Sequence, residues 1–94
     1  MKVKWVSLAL DDLESIDDYI SKDSQAAAHK VFVLIWETVN LLVDHPHIGR
    51  PGRVPGTREL VIPGTPFIIP YRIVADDIQI LRVLHGARKW PHKI

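Results

Sequence analysis

The sequence predicts an α+β fold in the order β-α-α-β-β-β, with a helical hairpin packed on a small, mainly antiparallel sheet. Three observations carry this expectation. Apolar residues recur at helical spacing through most of the first half. A loop rich in proline and glycine follows, and three short apolar segments parted by turn residues fill the rest.

The elements follow in order. Lys2 to Val6 alternates, with Val3 and Trp5 on one side, and reads as a first strand. Ser7 is placed to cap a helix, and Asp11, Asp12 and Glu14 fall early in it, where the macrodipole favours negative charge. Leu13, Ile16 and Ile20 give that helix one apolar stripe. The segment Ser21-Lys22-Asp23-Ser24 breaks it, and Ser24 or Asp23 can cap the next. In the second helix Ala27, Val31, Leu34, Leu41 and Leu42 form a stripe that Ala28, Phe32, Ile35 and Val39 widen. Asp44-His45-Pro46 stops it, because a residue before proline avoids helical angles. The short join between the helices predicts an antiparallel hairpin.

His45 to Thr57, with prolines at 46, 51 and 55 and glycines at 49, 52 and 56, reads as a loop. Arg58–Ile62, Phe67–Val74 and Ile78–Leu84 then read as an antiparallel meander. Pro70 has no amide hydrogen for a ladder, which places it at a bulge or an unpaired edge. The last strand is apolar on both parities, which suits a central position.

With 94 residues the chain suits a single domain, 1–94, with a thin margin of stability. It is 47% apolar and 24% charged, the profile of a folded globular protein. It has no cysteine, which excludes disulfides and thiolate chemistry. The N-terminus lacks a signal-peptide pattern, and no stretch approaches the length of a membrane span, so the expected compartment is the cytoplasm, with no membrane partner. The net charge of +1 conceals a split. Residues 1–47 hold eight acidic and four basic side chains, whereas residues 48–94 hold three acidic and eight basic, all six arginines among them. A basic face suited to an anionic partner is one implication, and a solvated surface is the other.

Candidate site residues lie in that second half. Arg58, Arg72 and Arg82 sit on successive strands and can converge as a phosphate-binding cluster, since guanidinium forks match phosphate oxygens. His85 ends the last strand and can exchange a proton near neutral pH. Together the four could cleave RNA, with a base on the 2′-hydroxyl and arginines on the phosphorane. The competing reading pairs the arginines with carboxylates, for which Asp17, Asp18, Glu37 and Glu59 are available, and leaves His85 structural. Trp90 can stack on a base or, more in keeping with its size, pack the C-terminal segment. His29, His45, His47 and His92 show no metal-ligand spacing, and Gly49, Gly52 and Gly56 are too dispersed for a phosphate loop. No metal or cofactor is implied.

Four segments together resemble the RelE/ParE toxin superfamily: His45-Pro46-His47-Ile48-Gly49-Arg50-Pro51, Thr57-Arg58-Glu59-Leu60, Pro70-Tyr71-Arg72-Ile73 and Ile80-Leu81-Arg82-Val83-Leu84-His85. The likeness covers essentially the whole chain, and the family's fold is the order already reached from the residues. It implies a type II toxin restrained by a cognate antitoxin protein, with one of two targets. RelE-like members cut messenger RNA on the ribosome, which here would make His85, Arg72, Arg82 and Arg58 the catalytic set. ParE-like members inhibit DNA gyrase, with no catalysis by the toxin. The chain lacks the lysine-rich loop of the RelE pattern, for which Arg50 and Arg53 are the nearest substitutes, and no tyrosine follows its last strand. The His-Pro…Gly-Arg-Pro loop and the Arg-Val-Leu-His ending favour the ParE branch. Arg50, Arg53, Arg72, Arg82, Arg88 and Trp90 are then candidates for contact with target or antitoxin. A non-toxic basic binding module is the reading outside the family.

Overall fold

A computed structural model describes residues 1–92 and residue 94. Strand β1 (Lys2–Trp5) leads into helices α1 (Ser7–Ser21) and α2 (Gln25–Asn40), and a 3₁₀ turn (Leu41–Val43) extends α2. Strands β2 (Arg50–Pro51), β3 (Arg58–Val61), β4 (Phe67–Val74), β5 (Asp77–Ile80) and β6 (Leu84–His85) follow. The sheet runs β1-β5-β4-β3-β2, with β6 on the first residues of β4. The β1–β5 pair is parallel and the other pairs are antiparallel. The helical hairpin covers one face, so the fold is α+β with a mixed six-stranded sheet, as expected in class.

The core lies between the hairpin and the sheet. Ala9, Ile35, Val39 and Leu42 from the helical layer meet Leu60, Ile62, Ile69, Tyr71, Ile78, Ile80 and Val83 from the strand layer. Ala27, Phe32 and Leu41, expected on the α2 stripe, are exposed, whereas Ala28, Ile35, Val39 and Leu42 are buried. The apolar arc of α2 is wider than the sheet it meets. Phe32 and Trp36 instead stack on the outside, and Trp36 stacks in turn on Trp5. With its 3₁₀ extension, Gln25–Val43 is long and apolar enough by length and composition to cross a membrane, which corrects the expectation that no stretch approaches that length. Of that apolar content Ile35, Val39 and Leu42 are buried in the core, and Val31 and Leu34 pack against it.

Capping follows the sequence at one helix only. Ser24 accepts the Ala27 amide at 3.0 Å and caps α2. Ser7 is not a cap: α1 begins at Ser7, Val6 stands before it, and no side chain caps that end. The Val6 amide donates to the Ile80 carbonyl at 3.1 Å, so the sheet fixes the entry to α1. Asp11, Asp12 and Glu14 lie beyond the first turn, where the macrodipole has largely faded.

The expected strand Ile78–Leu84 is two strands, and Pro70 is the reason. Tyr71 pairs with Ile80, and Ile68 pairs with Leu84, so Leu81, Arg82 and Val83 oppose only Ile69 and Pro70. The Pro70 carbonyl accepts the Leu81 amide at 3.0 Å, but proline has no hydrogen for the reciprocal bond. The partner strand leaves the ladder there as a bulge. Within the expected loop, the two residues of β2 pair Arg50 with Glu59 and Pro51 with Arg58. So short a strand containing a proline offers no alternation to read.

Candidate functional site

The bulge sets Arg82. Its Nε donates to Asp12 Oδ2 at 2.7 Å and its Nη2 to Oδ1 at 3.0 Å, while Oδ2 also accepts the Val83 amide at 3.0 Å. The Asp12 hydrogen bond outweighs partial burial and holds the guanidinium above its ordinary value. Arg82 is therefore turned to the helical layer and committed to α1. Arg58 also serves the fold, donating through Nη1 to the carbonyls of Gly49 (2.8 Å) and His47 (3.2 Å).

Arg72 lies elsewhere. Side chains alternate along a strand, and its neighbour Tyr71 is fully buried in the core, so Arg72 projects from the opposite, uncovered face. There it is exposed and donates from Nε to Gln79 Oε1 at 2.8 Å. The expected cluster of Arg58, Arg72 and Arg82 does not form. A one-residue step in strand parity and the bulge opposite Pro70 distribute the three over two faces.

The carboxylates that claim the arginines are Asp12 and Glu59; pairing with carboxylates was the competing expectation, with Asp12 not among those named. Glu59 is 3% exposed and receives Arg50 through Nε (3.1 Å) and Nη2 (3.0 Å), and Arg53 through its amide (2.9 Å) and Nε (3.2 Å). Burial would raise this carboxyl, but those bonds prevail and hold it below the ordinary value. Trp90 lies flat against Arg53, whose Cζ is 3.4 Å from the ring centre, and donates Nε1 to the His85 carbonyl at 3.1 Å. It packs the C-terminal segment, as its size suggested.

His85 is half-buried, edge-on to Phe67, and its Nδ1 accepts the Ala87 amide at 3.2 Å. That bond leaves the proton of a neutral ring on Nε2. His85 borders an open groove of about 690 Å³ between α1 and the β4–β6 end of the sheet. Ile16, Ile20, Val31, Phe67, Val83 and Leu84 give it an apolar floor, Tyr19 and Trp90 stand at its sides, and Arg88 and Lys89 add charge. Of the sequence candidates, the groove gathers His85, Arg88 and Trp90; Arg50 and Arg53 lie together on the β2 edge, and Arg72 is apart. Ile16 packs against the core as its spacing predicts while also lining the groove, Ile20 lines the groove, and Tyr19 is a groove residue outside the sequence candidates. Tyr19 is 68% exposed, and its sequence signal is an aromatic set next to Asp17 and Asp18.

Tyr71 anchors the loop before β2. Its hydroxyl donates to the Pro46 carbonyl (2.8 Å) and accepts the Gly49 amide (2.9 Å). Burial raises its ionisation above the ordinary tyrosine value, against the opposing effects of the Gly49 amide and Arg58. Gly49 is required here, since a Cβ would fall 2.5 Å from the ring.

Comparison with known proteins yields a consistent group. The family described as "ParE toxin of type II toxin-antitoxin system, parDE" matches residues 3–90. A protein of Sinorhizobium fredii (strain NBRC 101917 / NGR234) described as "Putative toxin Y4kP" is 44% identical over 90 residues, covering 96% of this chain and 93% of that protein. Toxin RelE2 of Caulobacter vibrioides (strain ATCC 19089 / CIP 103742 / CB 15) is 31% identical over 87 residues, covering 93% and 97%. A solved structure of the chromosomal ParDE TA system from P. aeruginosa superposes with a TM-score of 0.81 at 38% identity, covering 90% of this chain and 95% of that one.

Proposed function

The chain belongs to the ParE toxin family of type II toxin–antitoxin systems, and from that premise we propose that it arrests growth in the cytoplasm by inhibiting DNA gyrase, acting as one domain over residues 1–94. The observation that carries this choice is the commitment of Arg82 to Asp12, on the opposite side of the sheet from Arg72. Phosphoryl transfer needs cations converging on one phosphorane. With Arg58 holding loop carbonyls as well, the arginines of the RNase reading have no common focus. Inhibition of an enzyme by surface contact makes no such demand.

The restraining partner is a cognate antitoxin. Its seat in this proposal is the groove beside α1, whose apolar floor and flanking Arg88 and Lys89 suit an amphipathic, acidic segment that orders on binding. The deciding experiment compares purified gyrase supercoiling with cell-free translation. Loss of supercoiling with translation intact is expected; intact supercoiling with messenger RNA cut on ribosomes would overturn the proposal.

A further inference from the structure

Among the described residues no helix or strand lies over the sheet face turned away from the helices, although Pro70 and Glu59 are buried there, and its charge is one-sided. Lys4, Gln79 and Arg72 form one cross-strand row over β1, β5 and β4, and Lys2 stands beside it opposite Asp77. Arg50 and Arg53 close the far edge around Glu59. Five cations thus face two carboxylates. Glu59 is buried beneath its arginines, and Asp77 is taken by Lys4 at 2.9 Å. Glu59 fixes the two arginines without consuming them. Among the described residues, Nη1 of Arg50 and both Nη groups of Arg53 make no further hydrogen bond, and neither does either Nη of Arg72.

We propose that this open face holds the phosphate backbone of duplex DNA through Lys4, Arg72, Arg50 and Arg53. The spread of charge favours a rigid polyanion: β1 to β2 spans four strand spacings, roughly 19 Å at about 4.8 Å each. Single-stranded nucleic acid is held largely by stacking on several aromatic platforms, and the one ring that reaches this face, Trp90, already carries Arg53 on one side. Phe67 and Tyr71 share the inward parity, and Trp5 packs against the core. An acidic peptide would need an apolar cleft to order it, and the cleft lies between α1 and the β4–β6 end of the sheet, away from Lys4 and Arg72. The proposal deepens the gyrase reading and rests on it for its setting, since the substrate of gyrase is duplex DNA: the toxin would meet enzyme and DNA together.

The test is anisotropy titration of the purified chain with a labelled duplex of about 20 base pairs, the same single strand, and polyglutamate, between about 50 and 200 mM salt. Duplex binding is expected, with log K falling against log salt at a slope of about −3.6, near 0.9 for each of the four phosphates engaged. The Lys4→Gln/Arg72→Gln double variant, at two exposed sites, should fold normally by circular dichroism and reduce the slope by about 2. A Lys22→Gln/Lys30→Gln control, in the turn after α1 and on α2, should leave it unchanged. The proposal is overturned if the duplex does not bind, if the single strand or polyglutamate binds as tightly, or if the control variant weakens binding as much. Absent duplex binding with supercoiling still inhibited defeats this proposal alone. Duplex binding with gyrase unaffected defeats the gyrase reading and leaves this one standing.

Discussion

Arg82 and Asp12, seventy positions apart, are joined by two hydrogen bonds of 2.7 and 3.0 Å, and the same carboxylate caps the Val83 amide inside the bulge. One aspartate thus fastens α1 to the only part of the chain between β5 and β6 that the ladder releases. Both side chains are about one-fifth exposed, so the pair is shielded but not dry. Removing either partner leaves the other partly buried and unmatched. Asp12→Ala should therefore destabilise the fold by about 3 kcal/mol. Arg82→Ala should cost somewhat less, since Asp12 keeps the Val83 amide. Urea titrations of both singles and the double should show strong coupling, and additive effects would contradict the account.

A second expectation concerns the loop at Gly49. Tyr71→Phe removes one donor and one acceptor from buried partners, and should cost about 1–3 kcal/mol. Gly49→Ala should cost at least as much in Tyr71-containing protein, because the ring must move. Thermal melting of each variant and of the pair tests this. Tyr71→Phe keeps the ring, so the alanine penalty should persist in the double variant.

These examples show why the fold was legible and much of the site was not. Helical spacing in α2, the extent of β4 and the breaking role of Pro70 are properties of short windows, and the sequence carries them directly. The fate of an arginine is not such a property. Arg72 and Arg82 each sit in an apolar strand context, yet strand parity sends one to solvent, and a missing amide hydrogen opposite the other turns it towards α1. The partner of Arg82 is on a helix seventy positions away, so no local pattern announces it. The groove was hidden for a related reason. Ile16 packs against the core as expected and lines the groove as well, whereas Ile20 read as core because periodicity marks apolar faces without saying whether a neighbour covers them.

Glu59 predicts a pH dependence. Its carboxyl is held below its ordinary value of 4.5 in the folded chain. The stabilisation from that depression is complete above about pH 4.5 and is lost as pH falls through the lower folded value. Glu59→Gln should be less stable than the parent at pH 7, with the difference shrinking below about pH 4.5. Denaturant midpoints across that range check the sign; a gap that widens on acidification would refute it.

The groove makes a prediction about neutralisation. Ile20→Glu places a charge on its apolar floor without touching the Arg82–Asp12 pair. Antitoxin affinity should fall at least tenfold, and co-expression should no longer restore growth, while supercoiling inhibition by the free toxin persists. Calorimetry with the purified antitoxin, beside the supercoiling assay, separates these effects. Unchanged affinity would remove the groove as the antitoxin's seat.

His85 separates the two activities most directly. Its ring is half-buried against Phe67, and its Nδ1 is tied to the Ala87 amide, so the side chain has a structural task without any proton transfer. If the toxin inhibits gyrase, His85→Ala should stay toxic once folding is verified. If it cuts messenger RNA, the substitution removes a general acid or base contributing about 10²–10⁴-fold in rate, and toxicity should collapse. His85→Phe sharpens the comparison, because it restores the edge contact with Phe67 and cannot carry a proton. A toxic phenylalanine variant beside a weakened alanine variant is the pattern expected of a packing residue in a gyrase inhibitor. Equal loss in both, with translation spared by the variants and blocked by the parent, would instead establish the histidine as a catalyst.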